Sequence, residues 1–313
     1  MNAATRDETL IADLNAFMRA FSMRVDRHDG EHILHVPAFE PLPWRPAIKK
    51  RVLSRANPNA VFYEASTTAA LAYFFAELKP KVFLDLGAQW GYFSALALNY
   101  QPCAIDTYAF EINPHVTIYL SNAIEAAHKR DRRGELILAG VSDTHEGERD
   151  IWISVTKMFE SEPSKKDYRD PWWRRLKFAL RGNNNRDAPL RVRVGITSID
   201  HFCRERAIVP DIIKIDVDGY EAKVIPGALE ILERAKPVVF LELHKKKFLE
   251  RFGVSREQIA EQLFNLGYRA LLLPDHHDNT SMATPAAAGS QLIGREATDM
   301  FIFYHPDRLA KTV

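Results

Sequence analysis

The stretch Lys81-Val-Phe-Leu-Asp-Leu-Gly-Ala-Gln-Trp-Gly-Tyr-Phe-Ser94 decides the fold. Its first part, Val82 to Leu86, is a short apolar run of the kind that forms a buried parallel strand. Gly87 and Gly91 follow, and an amphipathic stretch then begins at Tyr92. The order is strand, glycine turn, helix. Such a turn lets backbone NH groups and a helix N-terminus approach a polar ligand.

A second feature lies further along the chain, at Glu111 in Tyr-Ala-Phe-Glu-Ile-Asn-Pro. An acidic residue about twenty positions after a glycine turn commonly ends the next strand and binds the hydroxyls of a ribose. Glu111 stands at that position after Gly91. The two features together predict a site for a cofactor that contains a nucleoside.

The spacing of the glycines distinguishes between cofactors. A nicotinamide or flavin dinucleotide is bound by G-x-G-x-x-G, in which the second glycine lets the pyrophosphate approach the backbone. Here the turn reads D-x-G-x-x-x-G from Asp85 to Gly91, with Ala88, Gln89 and bulky Trp90 between the glycines. A wider turn that opens with an acid suits a cofactor with a cationic amino-acid end. S-adenosylmethionine (SAM) has such an end.

The composition limits the class of protein. The chain has 313 residues, 46% of them hydrophobic, and a net charge of +1, which argues against nucleic acid as a partner. Its two cysteines, Cys103 and Cys203, lack metal-ligand spacing and indicate buried thiols in a reducing compartment. The N-terminus does not read as a secretory signal, and no apolar run approaches the roughly 20 residues of a bilayer span. We therefore expect a cytoplasmic protein without a transmembrane segment.

From Lys81 onward, strands alternate with helices. This pattern predicts an α/β fold with a doubly wound, mostly parallel sheet that binds ligands at the carboxyl ends of its strands. The last two predicted strands could add an antiparallel edge strand. The predicted strands are Val82–Leu86, Thr107–Glu111, Leu136–Val141, Ile212–Val217, Val238–Leu243, Tyr268–Leu273 and Met300–Tyr304. The predicted helices are Tyr63–Leu78, Pro114–Lys129, Ser198–Arg206, Gly219–Ala235 and Ser255–Leu266.

Two regions depart from this pattern. Residues 1–56 form an N-terminal extension, which we interpret as a helical cap or an oligomer contact, so a homo-oligomer is an open prediction. Within the main domain, residues 57–313, a basic insertion at about 157–193 carries eleven basic and five acidic side chains. Such an insertion can be a solvated excursion, a lid that binds the acceptor, or a surface for an anionic partner.

The sequence also resembles a known family, the FkbM-type SAM-dependent methyltransferases. The resemblance lies in Phe83–Ser94, in Phe110–Pro114, and in Thr197–Asp200 followed by Pro210–Ala228, the most distinctive block. It extends in order from about Asn57 to Tyr304. Gln89 and Asp218 are departures, since the family usually has asparagine and glutamate there. The resemblance implies a class I methyltransferase (Rossmann-like) fold, and sugar or other small natural-product hydroxyls as acceptors.

The residues assigned to the cofactor follow the strand ends. Asp85 would meet the ammonium of SAM, and Glu111 would accept the ribose hydroxyls. Asn113 could contact the cofactor or only cap the helix at Pro114. The resemblance places Asp143 against the adenine amino group, with a plain turn residue as the alternative. The complete set is Asp85, Gly87, Ala88, Gly91, Glu111, Asn113, Ser142 and Asp143.

Two further strand ends supply candidates for catalysis. Asp216 and Asp218 flank Val217, and they could orient the ammonium, accept a proton from a hydroxyl, hold Mg²⁺, or only cap the next helix. We expect Asp216 to face the reaction centre, and we assign no metal ligand. His244 closes the following strand two residues after Glu242. It could act as a general base or lie exposed before Lys245.

These observations predict a SAM-dependent methyltransferase that methylates a hydroxyl of a glycan or other small molecule. The alternative is a binding or scaffold protein that keeps the SAM fold without methyl transfer and uses the basic insertion for an anionic partner. A nicotinamide dehydrogenase is disfavoured by the absence of G-x-G-x-x-G.

Overall fold

The computed structural model describes residues 3–28, 31–44, 64–153, 158–164, 189–274, 276 and 282–309. Most of the predicted basic insertion, residues 165–188, lies outside the described residues. So do residues 45–63, which join the N-terminal extension to the main domain. Within the described ranges, none of the helices combines the length and the apolar character that a bilayer crossing requires.

The N-terminal section packs against the main domain. It consists of helix α1, Ala3–Ala20, and a small antiparallel sheet of β1, Arg24–His28, β2, Glu31–His35, and β3, Leu42–Trp44. Leu14 of α1 is fully buried in the same cluster as Phe74. The Tyr304 hydroxyl donates a hydrogen bond of 2.9 Å to Asp7, which fixes the start of α1 to the last strand of the chain.

The main domain follows the predicted alternation of strands and helices. Its strands are β4 Val82–Leu86, β5 Asp106–Phe110, β6 Gly134–Ile137, β7 Ala139–Val141, β8 Gly147–Ile153, β9 Met158–Phe159, β10 Leu190–Thr197, β11 Ile212–Ile215, β12 Val238–Leu243, β13 Arg269–Leu273, β14 Thr284–Ala286 and β15 Asp299–Tyr304. Its helices are α2 Ala65–Leu78, α3 Tyr92–Leu98, α4 Ile118–His128, α5 Ile199–Arg206, α6 Glu221–Val224, α7 Leu229–Ala235, α8 Lys246–Leu249, α9 Arg256–Asn265 and α10 Pro306–Leu309.

Eight strands form the central sheet in the order β14-β13-β15-β12-β11-β4-β5-β6. The five strands from β12 to β6 run parallel. β15 is antiparallel to both of its neighbours, and β14 is an antiparallel strand at the edge. The predicted fold class is confirmed: it is a doubly wound α/β fold with a mostly parallel sheet and an antiparallel edge strand.

Side chains alternate across the sheet and therefore fill two separate cores. Phe83 points into the cluster that holds α1 and α2, whereas Leu84 points into the cluster on the opposite face. Both are fully buried, as expected for a parallel strand covered on both faces. Because β4 and β11 are central neighbours, their carboxyl ends lie at the middle of one edge.

Four predicted elements are wrong in their extent, and the first is the predicted helix Pro114–Lys129, which begins only at Ile118. The predicted strand Leu136–Val141 divides at half-exposed Leu138, because β6 pairs with β5 whereas β7 pairs with β10 in a second sheet. That four-stranded sheet has the order β7-β10-β8-β9. The predicted helix Gly219–Ala235 is interrupted by a 3₁₀ turn at Pro226, whose ring cannot supply a helical NH donor. The strand predicted to end at Val217 ends at Ile215.

Candidate active site at the carboxyl edge of the sheet

The glycine turn, residues 87–91, is pressed against its neighbours. Gly87 has φ +79°, and a Cβ atom there would lie 1.8 Å from the carbonyl oxygen of Asp216. Gly91 has φ +78°, and its Cβ would lie 2.7 Å from the side chain of Leu120. The amides of Gly87 and Ala88 donate hydrogen bonds of 3.0 and 2.9 Å to the carbonyl of Phe110. Both positions therefore require glycine, because a side chain would clash with a neighbour and would strain the left-handed backbone.

Glu111 lies directly beside this turn. One oxygen of its carboxylate accepts a hydrogen bond of 2.8 Å from the amide of Gln89, and the other accepts one of 2.7 Å from the amide of Asn113. Glu111 is 8% exposed. Burial raises the pKa of its carboxyl, and the backbone hydrogen bonds oppose that rise. The structure thus brings the predicted ribose ligand and the predicted turn together and fixes the carboxylate with backbone donors.

Asp85 supports the turn from beneath and has no exposed surface. The Ser94 hydroxyl donates a hydrogen bond of 2.6 Å to its Oδ2. Its Oδ1 is buried without a hydrogen-bond partner among the described residues, 3.9 Å from Nζ of Lys214. Burial raises the pKa of Asp85, and the charge of Lys214 counteracts part of that rise.

Lys214 is a central residue of the site that the sequence analysis missed. It is 2% exposed, and its Nζ lies 3.3 Å from Oδ2 of Asp216 and 4.9 Å from the centre of the Phe93 ring. Burial would lower its pKa, but Asp216 and Asp85 outweigh burial and raise it, so the lysine remains charged. A signal was present in the sequence, because a lysine interrupts the apolar strand Ile212–Ile215.

The remaining predicted cofactor residues follow β5 and β7. The Asn113 side chain accepts a hydrogen bond of 3.0 Å from the amide of His115 in the turn before α4, and α4 begins at Ile118, so Asn113 does not cap a helix at Pro114. Asp143 accepts hydrogen bonds of 3.0 Å from the Ser142 hydroxyl and 2.7 Å from Lys223. The hydrogen bond from Lys223 lowers the pKa of Asp143. Both oxygens of Asp143 therefore already have one protein donor.

His244 is buried, not exposed. Its Nδ1 lies 2.9 Å from Oε1 of Glu221, and its Nε2 lies 3.4 Å from Asp218 and 3.9 Å from Asp216. Asp218 reaches this place with a left-handed φ of 51°, so the segment is not the extended one assumed from the sequence. The two aspartates nevertheless face the same imidazole.

The charged side chains around His244 shift one another's pKa values. Burial would lower the pKa of His244, but the carboxylates of Asp218 and Glu221 outweigh it and raise the pKa to about 12. Burial would raise the pKa of Asp216, but Lys214 and His244 lower it to about 2. At neutral pH the group therefore contains an imidazolium and an ionised aspartate.

Behind His244 lie three more residues that the sequence analysis did not assign. Oε1 of Glu242 is 3.7 Å from Nε2 of His244, and Oε2 of Glu242 is 3.6 Å from Nε2 of His276. Glu64 approaches the same nitrogen of His276 at 3.9 Å. Burial and the neighbouring Asp216 raise the pKa of Glu242 to about 7. We call Asp85, Lys214, Asp216, Glu221, Glu242, His244, Glu64 and His276 the charge cluster.

A family model matches most of the chain. The family model described as the methyltransferase FkbM domain matches residues 20–270. No curated protein matches the chain.

Among solved structures, the chain is similar to the methyltransferase FkbM from Methylobacillus flagellatus KT, at 13% identity and a TM-score of 0.40, over 83% of this chain and 58% of that one. It thus spans little more than half the length of that protein. It is also similar to the O-methyltransferase from Bacillus cereus in complex with SAH, at 12% identity and a TM-score of 0.34, over 97% of this chain and 90% of that one.

The family match covers most of the chain, including the glycine turn, Glu111, and the strands that carry Asp216 and His244. It confirms the resemblance on which the sequence analysis relied. The chain belongs to the FkbM methyltransferase family.

Proposed function

We propose that this protein transfers a methyl group from SAM to a hydroxyl of a glycan or another small molecule. The observation that carries the proposal is the position of Glu111. Its buried carboxylate is held by the amide of Gln89 in the glycine turn and by the amide of Asn113, at the same edge of the sheet that presents Asp216 and His244. A hydrogen-bond acceptor for the ribose after β5 and a group able to handle a proton after β11 thus stand at one edge of the sheet, with only β4 between their strands.

The residues present fit SAM. Glu111 keeps further lone pairs for the two ribose hydroxyls, because the backbone amides of Gln89, Ile112 and Asn113 do not occupy every acceptor position of a carboxylate. Gly87, Ala88 and Gly91 leave the turn without large side chains at these positions. We assign Ser142 and Asp143 to the adenine and Asn113 to the rim of the ribose site. The partly exposed carboxylate of Asp216 favours the ammonium end electrostatically, whereas Asp85 is fully buried beside Lys214 and contributes only to the charge balance behind it.

The bound cofactor supplies a methyl group that its sulfonium already activates. The protein has to align the acceptor hydroxyl, exclude water and take up a proton. In our proposal Asp216, whose side chain is 23% exposed, accepts the hydrogen bond of that hydroxyl. Lys214 and His244 hold the aspartate from two sides, at 3.3 and 3.9 Å, and so orient it.

His244 is the proposed general base, and its raised pKa sets a condition on that role. With a pKa of about 12 the imidazole carries a proton at neutral pH and can accept another only after losing it. If His244 is the base, the rate rises with pH well above neutrality, and His244→Gln abolishes the rise. A rate that does not change with pH in the wild type or in His244→Gln would assign proton uptake to Asp216 instead.

We do not place Mg²⁺ between Asp216 and Asp218. Lys214 already lies 3.3 Å from Oδ2 of Asp216, and His244 lies 3.4 Å from Asp218. Each of the two carboxylates therefore already has a cationic side chain beside it, and both cations would repel a further positive ion. The proposed chemistry needs alignment and a proton acceptor, which the chain itself provides.

Two experiments test the proposal. Incubation of the protein and SAM with glycan and small-molecule extracts should add one methyl group, seen by mass spectrometry, to a hydroxyl compound. Methylation only on nitrogen or carbon would contradict the O-methyl assignment. Calorimetric titration with SAM should show heat that Glu111→Ala loses and Glu125→Ala keeps, since Glu125 is an exposed glutamate on α4 paired with Lys129. Equal affinity of both variants would contradict the ribose assignment.

A further inference from the structure

Part of the charge cluster has the composition of a metal site. Glu64 directly precedes α2, Glu242 lies on β12, and His276 follows β13, so three distant segments meet at one point. Glu64 is 2%, Glu242 3% and His276 0% exposed. One possible ligand atom from each residue lies within 4.8 Å of the other two.

The spacing of these atoms supports this interpretation. Nε2 of His276 lies 3.6 Å from Oε2 of Glu242 and 3.9 Å from Oε2 of Glu64. A direct N–H···O hydrogen bond has a length of about 2.7–3.2 Å. Neighbouring ligands of a tetrahedral ion with bonds of about 2.1 Å are about 3.4 Å apart. The observed distances are closer to those of a coordination shell.

The charge of the surroundings points the same way. The carboxylates of Glu64, Asp85, Asp216 and Glu242 lie around one buried lysine, Lys214, and the imidazolium of His244 lies beside only Asp216 and Glu242 among them. Buried carboxylates are stable only when cations or hydrogen-bond donors compensate them. A divalent ion between Glu64 and Glu242 would supply two positive charges on the side of the cluster next to His276.

We propose that Glu64, Glu242 and His276 bind a divalent first-row transition-metal ion, such as Zn²⁺. An imidazole beside two carboxylates suits such an ion, whereas Mg²⁺ and Ca²⁺ prefer oxygen ligands alone. The ion fixes Glu242 by Oε2 and so holds its Oε1 towards His244, 3.7 Å away. The site therefore positions the proposed base.

A second group, Asp216, Glu242 and His244, has ligand atoms equally close together. In that group Nδ1 of His244 is paired with Glu221 at 2.9 Å, and Oδ2 of Asp216 is paired with Lys214 at 3.3 Å. A metal there would have to compete with an ammonium and a bound imidazole. We therefore assign the ion to the group with Glu64.

Titration of the metal-free full chain with Co²⁺ tests the site, because bound Co²⁺ gives visible absorption bands. We expect saturation at one equivalent, followed by loss of the bands when Zn²⁺ is added. His276→Gln and Glu64→Gln should weaken Co²⁺ binding on the order of 100-fold, since loss of a ligand exceeds the effect of losing a supporting contact. His201→Gln is the control. It removes one ring of the exposed stacked pair His145–His201, a possible surface site, and should leave the titration unchanged.

Three results would overturn the proposal. One is the absence of Co²⁺ bands at stoichiometric concentration in the folded wild-type chain. Another is binding that His201→Gln abolishes and His276→Gln preserves. A third is loss of binding in His244→Gln with full binding in Glu64→Gln, which would place the ion in the second group. The wild-type titration decides the matter even if a variant does not fold. Because it uses no SAM and no acceptor, it is also independent of the proposed methyl transfer.

Discussion

The two halves of the site share one edge of the sheet, but they are built in opposite ways. The half around the glycine turn holds a single carboxylate, Glu111, with backbone amides that lie within 22 positions of it. The other half, the charge cluster, is made of side chains that come from positions as far apart as Glu64 and His276. The first half depends on backbone shape and the second on charge balance. Substitutions should therefore damage them in different ways.

The largest effect is expected from Gly87→Ala, which tests the dependence on shape. The new methyl group would meet the Asp216 carbonyl at 1.8 Å in a left-handed backbone, and we expect a loss of about 4 kcal/mol in the free energy of unfolding. Gly147→Ala is the matched control, because Gly147 has φ +75° but nothing within 4 Å of the added atom. It should cost only the backbone term of about 1–2 kcal/mol. If urea unfolding gives the same loss of stability for Gly87→Ala and Gly147→Ala, the close approach of residue 87 to the Asp216 carbonyl does not matter.

The second prediction tests the dependence on charge. Lys214→Met should reduce the free energy of unfolding at pH 7 by about 3–5 kcal/mol, because it leaves fully buried Asp85 without its cation and Asp216 with His244 alone. The exposed pair of Lys129 with Glu125 provides the comparison. There Lys129→Met should leave the free energy of unfolding almost unchanged, because both partners are exposed to solvent. A similar, small cost in both variants would show that the cluster is compensated without Lys214.

The third prediction concerns the protonation of Glu111. Because burial raises its pKa above the ordinary 4.5, the affinity for S-adenosylhomocysteine should fall as the pH is lowered from 7 towards 5. Glu111→Gln should bind about tenfold more weakly at pH 7 and show less change with pH. Calorimetry at the two pH values measures both effects. The same dependence on pH in the variant would assign it to another group.

The raised pKa of Glu111 makes folding stability change with pH in the opposite direction to cofactor affinity. The unfolded chain ionises this group first, so its contribution to stability decreases as the pH rises from 4.5 to the folded-state pKa. Glu111→Gln should remove that decrease, which urea unfolding at several pH values can detect.

The smallest effect is expected at the adenine end. Asp143→Asn should weaken cofactor binding about threefold if the carboxylate accepts a hydrogen bond from the adenine amino group. An analogue that carries an oxygen in place of that amino group should not distinguish the variant from the wild type. If Asp143→Asn binds the normal cofactor as tightly as the wild type does, Asp143 has no role at the adenine. It would then serve only as the partner of Lys223, 2.7 Å away.

The same contrast explains what the sequence could and could not predict. The turn, the position of Glu111 and the alternation of strands with helices follow from spacing along the chain, and they were predicted. Glu64 and His276 lie on segments that meet only in the folded sheet, so no local pattern joins them to Glu242. The second sheet was missed as well, because β8 and β10 flank the basic insertion and β10 alternates arginines with small apolar residues. Lys214 alone left a local signal, as the one charge in an apolar strand.

The close approach of Gly87 to the Asp216 carbonyl also bears on how the protein is synthesised. The ribosome completes the glycine turn and Glu111 long before it reaches β11, whose end forms the other wall of the turn. A nascent chain that stops short of residue 216 therefore has the signature of a cofactor site without the surface against which the turn closes. Contacts between such distant positions form late and slowly. We expect the cofactor to bind only after the centre of the sheet has assembled, and not to guide the folding of the N-terminal half.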